Sequence, residues 1–476
     1  MTPASASGDG PPAGEPVLLQ ISDLNIQGEG VGRLDGEVVF VPQALPGEQV
    51  LVRLGARRRG PRHGVLLERR TSSPARIRPP CILADHCGGC STQHLCDPAE
   101  RQWKRERVEQ ALRRIGGLET TVLPVMAAPD PLHYRNRATI PLSRDAAGRL
   151  RAGFYRRGSH RIVNMNHCPV LDPRLDALIG PLKQDLEQSG WPVDPDLEAG
   201  GGLRHLALRL GVHTDEVLIT LISSHDQLDH LEDYANRWCQ QWPQVVGVTL
   251  NLQPAPGNRL FGDHNRLLAG RDWVQESFAG VNLQIGADTF FQVHTLQAER
   301  VVPLMLQALR RAEAQRLVDA YCGIGTFSLP LAATGIDVLG IEQHPGSIQR
   351  AVANAHRNRL ANRCRFAVGD VAQVLPEALH GRDALLLDPP RKGINPALLE
   401  VLRKQGPALI LYLSCDPATL ARDLAGLVAI GPPDGARSDA SGALHPPGPY
   451  AIESVQPIDF FPQTSHVETL VVLKRH

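Results

Sequence analysis

The sequence predicts a multidomain α/β protein, and three observations carry that expectation. From Val17 to about Ser73, short alternating runs (VLLQISDL, GEVVFVP, EQVLVRLG, HGVLLERR) are separated by turn-rich pieces, the pattern of a small five-stranded, OB-like β-barrel. Residues 119–290 read mostly as antiparallel β, in stretches such as LRHLALRLG, EVLITLIS and VVGVTLNLQ. From Arg316 onward, apolar strands alternate with helices (RLVDAY, DVLGIE, RCRFAVGD, DALLLDPP, ALILYLSC), which predicts a parallel, doubly wound sheet.

The expected divisions are a disordered tail over 1–15, the barrel over 16–74, a central domain over 75–290 and the doubly wound domain over 291–476. A helix is expected at about 99–115, where Val108, Ala111, Leu112 and Ile115 recur at helical spacing, and another near 296–313. The Pro/Gly/Ser/Asp-rich stretch 430–449 reads as a surface loop.

Lys+Arg and Asp+Glu balance at 50 each, so net charge names no partner. Its distribution says more. Between Leu51 and Pro80 nine Arg face one acid, Glu68, a candidate phosphate footprint. No apolar run reaches the length of a membrane span and no export signal opens the chain, so a cytoplasmic protein is expected. Nine Cys in such a chain read as metal ligands or nucleophiles rather than as a disulfide framework.

The stretch LVDAYCGIGTF sets Gly323 and Gly325 between an apolar strand and a helix, where the backbone can approach a ligand. Asp319 precedes the turn. About twenty residues on, Glu342 ends the next strand, where a carboxylate can accept both hydroxyls of a ribose. The third glycine of a dinucleotide fingerprint is missing, which disfavours NAD and suits a nucleoside without phosphates. The fourth strand ends in Asp388-Pro-Pro, a stiff loop that can hold a planar base. Arg391 follows where enzymes that methylate exocyclic amines carry an aromatic, which argues against an amino target.

Cys415 stands at the tip of the fifth strand, before a helix whose N-terminus is expected to lower its pKa. Thiolate addition at carbon 6 of uracil would make carbon 5 nucleophilic toward a methyl donor. The proton on carbon 5 must then leave to a base. Glu468 interrupts an apolar strand and is the first candidate; His466 is the second. Cys81, Cys87 and Cys90 form C-x5-C-x2-C, with Cys168 remote. This spacing fits a four-Cys iron–sulfur site and a structural zinc site alike.

Taken together, CILADHCGGCSTQH, HYRNRA (133–138), GFYRRGSH (153–160), TFFQVH (289–294), DAYCGIGTF (319–327), DPPRKG (388–393), SCDPATLARDL (414–424) and DFFPQTSHVE (459–468) resemble the bacterial RNA uracil-5-methyltransferases. The branch resembled carries an N-terminal TRAM barrel and an iron–sulfur cluster and acts on 23S ribosomal RNA. The resemblance implies a Rossmann-like methyltransferase domain that uses S-adenosyl-L-methionine, with Cys415 as nucleophile and Glu468 as base. It implies that Cys81, Cys87, Cys90 and Cys168 hold a [4Fe-4S] cluster in a central RNA-binding domain, and that Gln292, Tyr321, Thr326, Glu342, Asp370 and Asp388 contact the methyl donor. It implies RNA binding by the TRAM barrel, with 23S ribosomal RNA as the partner; no membrane and no obligate protein partner are implied. Asp416 stands where Asn is common, and Gln463 where His is common.

Alternatives keep the chemistry but move it to tRNA or to a second ribosomal uridine. The tRNA branch lacks the barrel and the Cys cluster. A non-catalytic RNA-binding iron–sulfur protein would have no use for Cys415, Glu468, Glu342 and Asp388. A DNA cytosine-5 methyltransferase would carry its nucleophile in a Pro-Cys context and leave the barrel unexplained.

Overall fold

The computed structural model describes residues 15–56, 60–197, 200–257, 259–428, 437–438, 444–445 and 448–476. The expected tail and most of the 430–449 loop therefore lie outside the described residues, as do Arg57, Arg58 and Arg59. The chain divides into two compact units. The first comprises residues up to Trp103 with 463–465; the second comprises Lys104–Pro462 and His466–His476.

In the first unit, strands β1 (Val17–Leu24), β2 (Gly30–Leu34), β3 (Glu37–Val41), β4 (Gln49–Leu54) and β5 (Arg62–Arg69) close a barrel in the order β1-β2-β3-β5-β4. This is the five-stranded barrel that the alternation predicts. Inward positions Leu19, Ile21, Val39, Val41, Val50 and Val52 are almost fully buried, as a period of two requires. One feature departs from the charge count. Glu48, just before the Arg-rich window, is buried and takes Arg76 in a two-pronged pair, with Arg76 Nη2 donating to Oε2 at 2.8 Å. Arg69 approaches it at 3.4 Å. Burial opposes the charge on Glu48, but Arg76 and the amides of Leu45 and Ser73 outweigh it and hold the carboxyl below its ordinary range. Two of the nine arginines thus serve the barrel's own structure.

The second unit holds two sheets of consequence. The central one runs β11 (His264–Gly270), β10 (Val245–Leu252), β9 (Val217–Ser223), β8 (Leu203–Leu210), β6 (Arg137–Arg144), β7 (Leu150–Ala152). It is antiparallel as predicted, except that β9 and β10 are parallel. The helix Leu231–Gln241 between them is the crossover that a parallel pair needs. The hairpin β12 (Trp273–Phe278) and β13 (Val281–Gly286) follows.

The large sheet contains β14 (Arg316–Ala320), β15 (Asp337–Glu342), β16 (Cys364–Val368), β17 (Ala384–Leu387), β18 (Leu409–Ser414) and, beyond the two-residue pair β19 (Arg437–Ser438) and β20 (Leu444–His445), β21 (Tyr450–Ile458) and β22 (Glu468–Arg475). Its order is β16-β15-β14-β17-β18-β22-β21, with β14 to β18 parallel and β22 antiparallel to β18. Both faces are covered, which is why these strands read as continuous apolar runs: Leu317, Leu386 and Leu411 enter one core, and Val318, Leu385 and Ile410 the other. The helix expected at 99–115 is Asp97–Ala111 continued by a π-turn, Leu112–Gly116. Gly116 lets that turn pack on the helix Pro417–Leu427, since a Cβ there would lie 2.9 Å from the carbonyl of Ala421. Among the described residues no helix is long and apolar enough to cross a membrane.

Candidate active site

The site grows from the carboxyl ends of β14, β15, β17 and β18, the edge where ligands bind in doubly wound sheets. At the tip of β14, Tyr321 (φ +69°), Gly323 (+56°) and Gly325 (+84°) fold the chain back on itself. The amides of Tyr321 and Cys322 both donate to the carbonyl of Ile341, at 2.9 and 3.0 Å. A Cβ on Gly323 would meet nothing within 4 Å, so the turn leaves open space for a ligand's backbone approach. Glu342 ends β15. Its carboxylate accepts from the amides of Gly323 (3.2 Å) and His344 (2.9 Å), which fixes its direction and leaves lone pairs for a diol. Thr326 is buried in the same turn. Asp370, in contrast, is exposed and caps the helix Val371–Ala378 by accepting from the amide of Ala372 at 2.9 Å.

Asp319 and Asp388 end neighbouring strands. Asp319 is buried and accepts from the Ser328 hydroxyl. Burial, and to a smaller extent Glu342, push its pKa up to about 7 despite that bond. Burial and Asp319 raise Asp388 to about 7 likewise. Gln292 Nε2 reaches Asp388 at 3.5 Å. The segment carrying Gln292 is held by Asn136, whose Nδ2 donates to the Gln292 carbonyl (2.8 Å) and to Thr295 Oγ1 (2.9 Å). Gln292, Tyr321, Thr326, Glu342 and Asp388 therefore share one strand-end region.

Cys415 and Glu468 are brought together by sheet register. Ser414 pairs with Thr469; Cys415 follows the end of β18 and Glu468 opens β22, near enough for the Glu468 charge to act on the thiol. Glu468 is buried, and burial, then Asp388, raise its pKa to about 8 against the opposing Arg391. The expectation that the helix N-terminus would acidify Cys415 is corrected here. Asp416 already occupies that terminus, accepting from the amides of Ala418 and Thr419 at 2.9 Å each. Burial, followed by Glu468 and Asp388, pushes the thiol up to about 12, against the opposing charge of Arg391. His466 lies just before β22. Burial, with Arg391, Arg107, Lys104 and Arg135, lowers it to about 4, and its Nε2 faces Arg391 Nη2 at 3.4 Å. A neutral ring whose Nε2 lone pair faces Arg391 is a poor proton acceptor beside Glu468.

Asp423 carries no signal of its role in the sequence. From the helix after Cys415, its Oδ2 accepts from the Tyr412 hydroxyl (2.7 Å) on β18 and from the amide of Ile394 (2.9 Å). Arg422 adds a bond to the Lys392 carbonyl at 2.8 Å. The Asp388–Ile394 loop is thus tied to the helix that follows the nucleophile. Gly393 makes this possible, with φ +73° and a Cβ position only 2.3 Å from Asp423 Oδ2. Gly393→Ala is expected to cost about 1–3 kcal/mol of stability and to lower kcat more than it raises the Kd for the methyl donor. Thermal unfolding and single-turnover methyl transfer check this.

Cys81, Cys87 and Cys90 lie half-buried on a loop of the first unit. The amides of Leu83 and Gly89 point at the Sγ atoms of Cys81 and Cys87, each at 3.4 Å. Cys168 is buried in the second unit. Among the described residues no three His, Cys, Asp or Glu side chains are gathered as a metal-holding group.

The chain is similar to known proteins over nearly its whole length. The family model for tRNA (uracil-5-)-methyltransferase matches residues 99–431, and that for the TRAM domain matches 13–67. A protein of Parasynechococcus marenigrum named uncharacterized RNA methyltransferase is 49% identical over 99% of this chain and 98% of its own. A Synechocystis protein of the same name is 45% identical over 97% and 96%. The Pyrococcus abyssi tRNA (uracil-54, C5)-methyltransferase, solved with S-adenosyl-L-homocysteine, superposes with a TM-score of 0.76 at 28% identity, over 96% of this chain and 99% of that one. The chain belongs to the tRNA (uracil-5-)-methyltransferase family, as an S-adenosylmethionine-dependent RNA methyltransferase whose N-terminal barrel is a TRAM domain.

Proposed function

We propose that the protein methylates carbon 5 of a uridine in 23S ribosomal RNA through a covalent bond between Cys415 and carbon 6. The observation that carries this reading is the pairing of β18 with β22 that brings Cys415 near Glu468, with Asp388, at the ligand-binding edge of the sheet. Gln292, Tyr321, Thr326, Glu342, Asp370 and Asp388 would hold S-adenosylmethionine, which supplies an electrophilic methyl on sulfonium sulfur. The target base must leave its stack, at a cost of about a few kcal/mol. Cys415 gives its proton to solvent and its thiolate adds to carbon 6. The electron pair of the 5,6 bond shifts toward carbon 5, which takes the methyl as the bond from methyl to sulfonium sulfur breaks and S-adenosylhomocysteine leaves. Glu468 removes the proton left on carbon 5, the double bond re-forms, and the Cys415–carbon 6 bond breaks. A carboxylate with a pKa near 8 is a stronger base than an ordinary one, which suits the proton transfer.

The Pyrococcus relative, which acts by its name on tRNA, covers 96% of this chain, so the expectation that tRNA enzymes lack the barrel and the Cys segment is corrected, and the choice of ribosomal RNA rests on the resemblance of the motifs alone. Purified protein should methylate 23S transcripts and leave tRNA transcripts unlabelled, with the label recovered as 5-methyluridine. Label in tRNA alone would reverse the assignment.

Cys81, Cys87, Cys90 and Cys168 would hold a [4Fe-4S] cluster with a structural role. The amide donors aimed at two of the sulfurs suit thiolate ligands, which accept hydrogen bonds better than thiols do. Anaerobically purified protein should be brown, with about four irons per chain; colourless protein with one zinc would contradict the cluster.

A further inference from the structure

In the central sheet, Arg137 on β6 lies directly opposite Arg209 on β8. Directly opposed residues of an antiparallel pair put their side chains on the same face, and like charges there are destabilising. Arg209 is only 3% exposed. Its Nη2 donates to the Thr289 carbonyl at 2.6 Å, but its Nε and Nη1 are buried with no hydrogen-bond partner. Arg137 is half-buried, with its guanidinium 5.1 Å from the centre of the Phe261 ring. Among the described residues Asp288 is the acid that offsets the two, and it already takes Asn265 Nδ2 at 2.7 Å. One buried guanidinium fork with two unspent donors, the half-buried Arg137 opposite it and one shared acid form a site short of an anion.

Its position says which anion. Thr289 is three residues from Gln292, a span of at most about 10 Å, and Gln292 reaches Asp388 beside Cys415. We infer that the Arg137–Arg209 pair receives a backbone phosphodiester of the RNA close to the flipped nucleotide, an inference that rests on the RNA-directed reading above. Guanidinium forks match phosphate oxygens in geometry and charge. A phosphate on the half-buried Arg137 would offset the positive charge of the pair and relieve the repulsion across the sheet. Because the pair hangs from the segment that carries Gln292, it would set the register of the RNA on the catalytic edge.

The test uses the full chain and an RNA that it methylates, with equilibrium binding measured against KCl concentration. Arg137→Gln should weaken RNA binding about tenfold and flatten the slope of log affinity on log salt by about 0.7. The Kd for S-adenosylmethionine should not change. Arg137→Lys should keep the slope and lose part of the affinity. Arg209→Met should act like Arg137→Gln; since it could instead unfold the sheet, Arg137, which is half-exposed, carries the decision. Unchanged RNA affinity and slope in Arg137→Gln would overturn the site. So would weakened methyl-donor binding with an unchanged RNA slope, which would assign the pair to the donor's carboxylate. The slope reads binding alone. Failure of the wild type to methylate uridine would therefore strike the functional reading, and a wild-type slope in Arg137→Gln would strike only this site.

Discussion

Cys415→Ala is expected to bind RNA and S-adenosylmethionine as the wild type does and to lose methyl transfer by at least about 10⁴-fold. Cys415 is only partly buried at a strand tip, so removing Sγ leaves no large cavity. Uracil carbon 5 cannot attack the methyl without addition at carbon 6, so binding energy elsewhere does not substitute for the nucleophile. Filter binding and calorimetry would read the two affinities, and single-turnover transfer would read the chemistry. Residual activity within tenfold of wild type would remove Cys415 from its role.

Glu468→Gln is expected to fail differently. Cys415 should still add and carbon 5 should still take the methyl, but the proton on carbon 5 would stay and the bond to Cys415 would persist. A denaturation-resistant enzyme–RNA band labelled from the methyl donor should accumulate, while free product falls by about 10²–10⁴-fold. Glutamine keeps the shape and removes the charge. It also removes the second cause that holds the Cys415 thiol near 12, so the adduct should form at lower pH than in the wild type. In the wild type, Glu468 must be ionised to act and its pKa is raised to about 8. Product formation should therefore rise with pH through neutrality and go on rising above about 8, as the Cys415 thiol, held near 12, ionises. Normal turnover by Glu468→Gln, with no labelled band, would exclude it as the base.

Much of this architecture is legible in the sequence because it depends on period and punctuation. The barrel follows from alternation broken by Gly-rich turns. The doubly wound sheet follows from the apolar runs of β14, β15, β17 and β18, which both faces of the fold must cover. Cys415, Glu342 and Asp388 can be placed because each ends such a run. What is not legible depends on distant partners. Glu48 lies just outside the window in which the arginines stand out, so the charge count misses the pairing of Arg69 and Arg76 with it. The pKa of Cys415 is set first by burial and then by Glu468, 53 positions later in the sequence, while Asp416 already caps the helix expected to lower it. Asp423 reads as one acid on a helix until Ile394 and Tyr412 are seen to share its Oδ2. The glycine that ends DPPRKG is the one local signal of that tie.

The central claim is the bond between Cys415 and the target uracil, and the most direct test is to trap it. Wild-type protein, S-adenosylmethionine and RNA carrying 5-fluorouridine at the target should give a stable adduct, since fluorine cannot leave carbon 5 as a cation. After digestion, mass spectrometry should find the peptide containing Cys415 joined to a nucleotide that carries both fluorine and the transferred methyl. An adduct on another residue, or methylated RNA with no adduct, would contradict the account.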